Sequence, residues 1–318
     1  MSKKKISMIA AIVAVVLASS FFIWRGKAPS FSGQDLHPAL SVSDNFEILL
    51  IGDMGSGDGN QTSIAKAMND YCLTHPLTAV IFLGDNFYPH GVKSVDDPQW
   101  KTTFSDQYNL DCIGKLPYYA VLGNHDYQGN TTAQIEYKGK TPEWNMPNRN
   151  FDLRFGNSLQ LTMIDTNILD VCGFDQYCTI DFMLGSIKAS TADFTIVLGH
   201  HPIDSSSGKY AKRNMQGRIL ESLLCDKAKF YIAGHSHHLE HLTSSKCAMD
   251  WFVVGGGGAD LYEIKQRRKE SLFAESVFGF MSLKVSPESL KFSFINSELK
   301  TLYEVERKKG ETIAPASH

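Results

Sequence analysis

Short apolar runs of four to six residues recur along the chain, each bounded by polar or glycine-bearing turns. They are Phe46–Ile51, Ala79–Leu83, Tyr118–Leu122, Leu159–Ile164, Phe194–Leu198, Phe230–Ala233 and Trp251–Val254. Runs this short, rich in β-branched and aromatic residues, predict strands. Between several of them the apolar spacing becomes helical. Thr62–Cys72 puts Ile64, Ala67, Met68 and Tyr71 on one face, and Ile180–Ala189 and Arg213–Leu224 follow the same rule. Strand, helix and strand in succession predict α/β layering. The pattern changes late in the chain. Ser276–Val285 and Leu290–Ile295 alternate with no helix between them, which predicts an antiparallel pair. The body of the molecule is expected over residues 45–300. Residues 28–44 read as a polar linker, and 301–318 as a C-terminal tail, frayed from Arg307.

Five of the apolar runs end in glycine followed by a residue able to bind a metal: Gly52-Asp53, Gly84-Asp85, Gly123-Asn124, Gly199-His200 and Gly234-His235. Parallel α/β sheets build ligand sites beyond the carboxyl ends of their strands. Glycine there lets the backbone turn sharply and approach closely. One such junction is ordinary turn chemistry. Five in succession predict a shared metal site at one sheet edge. Tyr88 lies three residues beyond Asp85, and His237 two beyond His235. Seven donors exceed what one catalytic ion with an open position takes. They suit two ions roughly 3.5 Å apart that clamp an in-line displacement and share a carboxylate. Carboxylate, amide, imidazole and phenol without thiolate favour iron, manganese or zinc.

Asp53-Met-Gly, Gly84-Asp85-Asn-Phe-Tyr88, Gly123-Asn124-His125-Asp126, Gly199-His200 and Gly234-His235-Ser-His237 occur in that order. Together they resemble the signature of dinuclear metallophosphoesterases. Gly55 and Tyr88 resemble the purple acid phosphatase branch. The stretches GDNFYPHGV, LPYYAVLGNHDYQGNTTAQIEY and FVVGGGGADLYEI are similar to the small, mammalian-type tartrate-resistant acid phosphatases. The resemblance covers roughly residues 45–300. It implies a four-layer α/β/β/α sandwich of two mixed sheets flanked by helices, in one domain. It implies Fe(III) on Asp53, Asp85, Tyr88 and His237, and a divalent ion (Fe, Zn or Mn) on Asp85, Asn124, His200 and His235, with Asp85 bridging. It also implies an acid phosphatase that hydrolyses phosphate monoesters and phosphoproteins by attack of a metal-bound hydroxide. Asn124 would bind substrate. His125 would bind phosphate or protonate the leaving alkoxide, with Asp126 available to orient it.

The loop after His200 departs from the family. It reads Asp204-Ser-Ser-Ser-Gly208-Lys209 and lacks the histidine that members often carry there. Lys209 is either a replacement phosphate-binding charge or a solvated lysine. His90 either lines the site or lies on the surface. His201, His238 and His241 neighbour the ligands but are expected to point away. Gly255–Gly258 lacks the residues of a P-loop and is expected to let a backbone segment pass close to the metal site.

The charge pattern at the N-terminus predicts that the body lies outside the cytoplasm. Lys3, Lys4 and Lys5 precede 19 uncharged residues, Ile6 to Trp24, and Arg25 and Lys27 follow. Residues 1–27 therefore read as a signal peptide or an uncleaved signal anchor, with the body extracytoplasmic, secreted or membrane-attached. Beyond them stand 26 basic against 34 acidic residues, which argues against a nucleic-acid partner. Cys72, Cys112, Cys172, Cys178, Cys225 and Cys247 form no zinc knuckle. Pairing between sequence neighbours is one reading and buried free thiols are another. A monomer is expected. Two competing functions remain at this level: a Mn/Zn phosphodiesterase or nucleotide hydrolase, and an inactive surface interaction module.

Overall fold

The computed structural model describes residues 35–139, 142–173, 178–210 and 215–314. The segment expected to be a signal or anchor lies outside the described residues, as does the linker as far as Gln34. Fifteen described strands form two mixed sheets. The seven-stranded sheet runs β15(Thr301–Lys308), β14(Ser289–Asn296), β13(Gly279–Val285), β2(Phe46–Ile51), β3(Ala79–Phe82), β4(Pro117–Ala120), β5(Glu143–Asn145). The eight-stranded sheet runs β1(Ala39–Leu40), β6(Phe151–Phe155), β7(Leu159–Met163), β8(Phe194–Leu198), β9(Phe230–Ala233), β11(Asp250–Val254), β10(Leu239–Thr243), β12(Ser271–Glu275). β2 to β5 are parallel to one another, and so are β7, β8, β9 and β11.

The expected four layers are present. Phe46 of β2 stacks on Phe155 of β6 at 5.2 Å between ring centroids, and Phe252 of β11 stacks on Phe292 of β14 at 4.5 Å. These contacts join the inner faces of the two sheets. Glu47, the next residue of β2, faces the opposite way. It accepts a 2.6 Å hydrogen bond from Tyr71 Oη on helix α1(Gly59–Thr74). α1 is capped by Asp58, whose side chain accepts from the Asn60 and Gln61 amides. A short α2(Thr131–Glu136) follows β4. On the other side, α3(Thr179–Ala189) and α4(Met215–Leu224) insert Phe182, Met183, Leu220 and Leu224 into a cluster with Val197, Tyr231 and Val253. Both faces of the central strands are thus covered. That is why their sequences read as continuous apolar runs.

Two boundaries change. The tail expected from residue 301 begins as β15, which pairs antiparallel with β14 along its length. It is an edge strand. Tyr303 packs on Phe273 at 4.9 Å while charged positions alternate outward, so its apolar content is too low to read as a strand. The linker expected to run to residue 44 contains buried Leu36 and the short strand β1 paired with β6. The antiparallel pair expected late in the chain is β13 with β14, in register from Gly279 with Asn296 to Val285 with Leu290, and the first of these strands begins at Gly279 rather than Ser276. Cysteines pair as sequence neighbours, Cys72–Cys112, Cys172–Cys178 and Cys225–Cys247. No helix among the described residues is long and apolar enough to cross a membrane.

Candidate metal centre

Asp53, Asp85 and Asn124 lie beyond β2, β3 and β4 of the seven-stranded sheet. His200 and His235 lie beyond β8 and β9 of the other. The single sheet edge expected from sequence is therefore two edges that meet. Gly52 N–H donates to Val254 O at 2.8 Å, and Gly257 N–H donates to Gly52 O at 3.1 Å. A Cβ at position 257 would lie 2.2 Å from Gly52 O, so the glycine run lets its loop cross the junction, as expected. Gly123 serves the same end. A Cβ there would lie 2.1 Å from both the amide and Oδ1 of Asp85.

Asp53, Asp85 and His235 all adopt positive φ, at 60°, 53° and 66°. Non-glycine residues in that region cost of order 1 kcal/mol each and persist where the surroundings hold them. Here Asp53 Oδ2 accepts from the His235 amide at 2.7 Å, and Asp85 Oδ1 from the His125 amide at 2.8 Å. The sharp turns therefore aim side chains from both sheets at one point.

The donors form two groups joined at Asp85. In the first, Tyr88 Oη lies 2.9 Å from Asp85 Oδ2, 3.1 Å from Asp53 Oδ1 and 3.3 Å from His237 Nε2. In the second, His200 Nε2 lies 3.4 Å from Asp85 Oδ2, 3.2 Å from Asn124 Oδ1 and 3.2 Å from His235 Nδ1. Asp53, Asp85 and His200 are fully buried, whereas Asn124, His125 and His235 are partly open to solvent.

Proton accounting shows that these residues fit cations. His200 Nδ1 sits 2.9 Å from the Leu83 carbonyl, and His237 Nδ1 sits 2.6 Å from that of Asp260. A carbonyl only accepts, so each Nδ1 carries the hydrogen and each neutral ring presents a lone pair at Nε2. Those lone pairs face carboxylate and amide oxygens, His237 Nε2 lying 3.4 Å from Asp53 Oδ1. Acceptors face acceptors, and a cation relieves that crowding. Without one the site recruits protons. Burial opposes charge on His200, but Asp85 and Asp53 outweigh it and push the imidazole up to about 9. Burial, then Asp53 and Asp85, hold the Tyr88 phenol well above its ordinary value. Asp85, His200 and His235 form a candidate metal site on distance alone. Holding each imidazole through its outer nitrogen is the usual support of a ligand histidine.

The remaining expected residues are placed as follows. His125 stands at the rim, with its ring 4.4 Å from that of Tyr88 and its Nδ1 2.7 Å from the Pro89 carbonyl. Asp126 does not orient it. The Asp126 carboxylate accepts from the Gly123 amide at 2.7 Å and Gln134 Nε2 at 2.9 Å, so it braces the turn beneath the ligands. Burial, then Asp85, push it up to about 7. His90 is exposed, with Nδ1 2.9 Å from Gln128 Oε1. Lys209 reaches the site indirectly. Its Nζ lies 4.2 Å from the centroid of the Tyr262 ring, and that ring stacks on His237. His201 bonds Thr166 Oγ1, His238 bonds Glu240, and His241 bonds Tyr303 Oη, so none is spent on the cluster. Sequence reasoning missed Tyr262 and the three carbonyls that orient the imidazoles. A tyrosine in a loop carries no signal of its own, and carbonyls carry none at all.

Comparison with known proteins shows the family. The calcineurin-like phosphoesterase family matches residues 46–239, which include every strand-end donor. Purple acid phosphatase 7 of Arabidopsis thaliana is 31% identical over 287 residues, 81% of this chain and 85% of its own. Tartrate-resistant acid phosphatase type 5 of Sus scrofa is 26% identical over 269 residues, 75% and 78% of the two chains. Among solved structures, GAP50, the anchor in the inner membrane complex of Plasmodium, has the same fold. Its TM-score is 0.73 at 24% identity, covering 85% of this chain and 90% of that one. The chain belongs to the calcineurin-like phosphoesterase family, in its purple acid phosphatase branch.

Proposed function

We propose that this protein is an acid phosphatase that hydrolyses phosphate monoesters, aryl phosphates and phosphoproteins included, at a centre of Fe(III) and a second divalent ion (Fe, Zn or Mn). The observation that carries this reading is the position of Asp85 between the phenol of Tyr88 on one side and the imidazole of His200 on the other. Asp53, Asp85, Tyr88 and His237 would hold the ferric ion, and Asp85, Asn124, His200 and His235 the divalent one. Such a pair supplies Lewis acidity at the phosphoryl oxygens.

The chain's own groups do the rest. Asn124 and Lys209 bind phosphate oxygens, with His90 at the outer rim. The Pro89 carbonyl holds His125 Nδ1–H, which leaves Nε2 as the nitrogen that would hand a proton to the leaving oxygen as the phosphorus–oxygen bond breaks. Three disulfides favour an oxidising, extracytoplasmic setting. The N-terminal apolar segment would either anchor the protein to a membrane or be removed on secretion.

Metal analysis and the visible spectrum of the purified chain test this reading. We expect about two metal ions per chain, one of them iron, and a broad visible band that Tyr88→Phe abolishes. Hydrolysis of aryl phosphates at acid pH should accompany them. A colourless manganese or zinc protein active on diesters or nucleotides would instead establish the phosphodiesterase reading. Full metal loading without hydrolysis of any phosphoester would leave an interaction module.

A further inference from the structure

Tyr262 takes no part in the chemistry just described, yet its ring lies against a ligand. It stacks on His237 with centroids 4.0 Å apart and planes 15° apart. Its main-chain N–H donates to the His237 carbonyl at 2.9 Å, and Asp260, two residues earlier, accepts from His237 Nδ1 at 2.6 Å. The segment 260–262 therefore grips His237 through its ring face, its outer nitrogen and its backbone. Lys209 Nζ donates to Tyr262 Oη and sits near the same ring. The loop carrying Lys209 is fixed by other bonds. Gly208 N–H donates to Glu263 O at 2.8 Å. Arg268 Nε donates to Asp204 Oδ1 at 3.1 Å and Ser205 O at 2.9 Å. The two loops are thus joined independently of the stack, so replacing the Tyr262 side chain leaves their connection in place.

The geometry points to Tyr262 as a positioning residue with two separable effects: its ring holds His237 in the orientation that binds metal, and its hydroxyl holds the Lys209 ammonium where it meets substrate phosphate. This inference rests on the reading of the centre as a two-metal phosphatase site. An imidazole tethered at one nitrogen can still rotate out of the ligand position, and a face-on ring removes that freedom. Loss of such outer supports typically weakens metal binding by about 10- to 100-fold. A flexible lysine stem, left without its phenol partner, must be ordered by the substrate, which lowers phosphate affinity without touching the metal.

Cobalt binding and phosphate binding separate the two effects. The metal-free full chain is titrated with Co2+ by calorimetry and visible absorption. The loaded protein is then titrated with orthophosphate. Tyr262→Phe keeps the ring and loses the hydroxyl. It should bind both cobalt ions as the parent does, bind orthophosphate about fivefold more weakly, and raise KM for an aryl phosphate more than it lowers kcat. Lys209→Met should weaken orthophosphate binding at least as much, and adding Tyr262→Phe to it should cost nothing further. Tyr262→Leu loses both groups and should bind one of the two cobalt ions at least about tenfold more weakly. Parental cobalt affinity in Tyr262→Leu would overturn the role of the ring. Parental phosphate affinity in Tyr262→Phe would overturn the role of the hydroxyl. If Tyr262→Leu does not fold, Tyr262→Phe against Lys209→Met still decides the second effect. A parent protein binding fewer than two cobalt ions would reject the two-metal reading itself. Two bound ions without hydrolysis would reject the activity but leave both binding comparisons decisive.

Discussion

The main-chain amide of His125 donates to Asp85 Oδ1 at 2.8 Å. The rim residue proposed to deliver a proton and the carboxylate shared by both donor groups are therefore held by one contact across two loops. The other oxygen of Asp85 faces Tyr88 and His200. The two donor groups thus meet at this one side chain.

Asp85→Asn preserves size and removes the charge. We expect metal analysis to show at least one of the two ions lost, and kcat/KM for aryl phosphates to fall by about 10³-fold. Full metal retention with near-parental activity would contradict a bridging role.

His125→Ala should depend on the leaving group. An alkoxide needs a proton as it departs, so kcat/KM for alkyl phosphates should fall by about 10²-fold. A nitrophenolate leaves without help, and its ester should lose far less. An equal loss on both substrates would make His125 a phosphate-binding residue alone.

The disulfides should differ in value. Cys72–Cys112 spans a sequence separation of 40, and chain entropy assigns it about 4 kcal/mol. Cys172–Cys178 spans 6, for which the same relation gives about 2 kcal/mol. Urea unfolding of the two paired Cys→Ser variants should show the first loss to be about twice the second. Equal losses would mean that loop closure does not dominate.

His241 should set an acid limit on stability. It is fully buried and stacks on Phe252 at 4.2 Å, with Nδ1 3.0 Å from Tyr303 Oη and Nε2 3.4 Å from Asp250 Oδ1. Arg307 engages the other oxygen of Asp250, and Glu240 is the neighbouring acid. Burial holds the imidazole below its ordinary value despite Asp250. The folded-state pKa is depressed, so the unfolded chain takes up this proton first. The contribution is complete above about pH 6.5 and is lost as pH falls from there through the folded-state value, by at most about 1.4 kcal/mol per pH unit. Denaturant unfolding of His241→Phe should show a shallower decline below pH 6.5 than the parent. Parallel curves would exclude His241 as a source.

Much of the fold was legible because the central strands are covered on both faces. Phe194–Leu198 and Phe230–Ala233 appear with the boundaries their apolar runs suggest. Edge elements were not legible. Strands β1, β5 and β15 are short or covered on one face, so their composition resembles that of loops. Asp126 shows a different limit. Adjacency to His125 suggested that it orients the ring, but its side chain turns inward to the Gly123 amide. Neighbours in sequence share a backbone, not a direction.

The sequence by itself determined which residues could meet. Glycine followed by a donor at five strand ends needs only the rule that parallel strands end at one edge. Tertiary structure decided that two edges take part, because Asp53, Asp85 and Asn124 come from one sheet and His200 and His235 from the other. It also decided which ring nitrogen faces the centre, through the carbonyls of Leu83 and Asp260, and it placed Tyr262 on His237. Strand ends follow from local apolar pattern. Sheet pairing, imidazole rotation and ring stacking depend on contacts between residues far apart in the chain, and no local pattern encodes them.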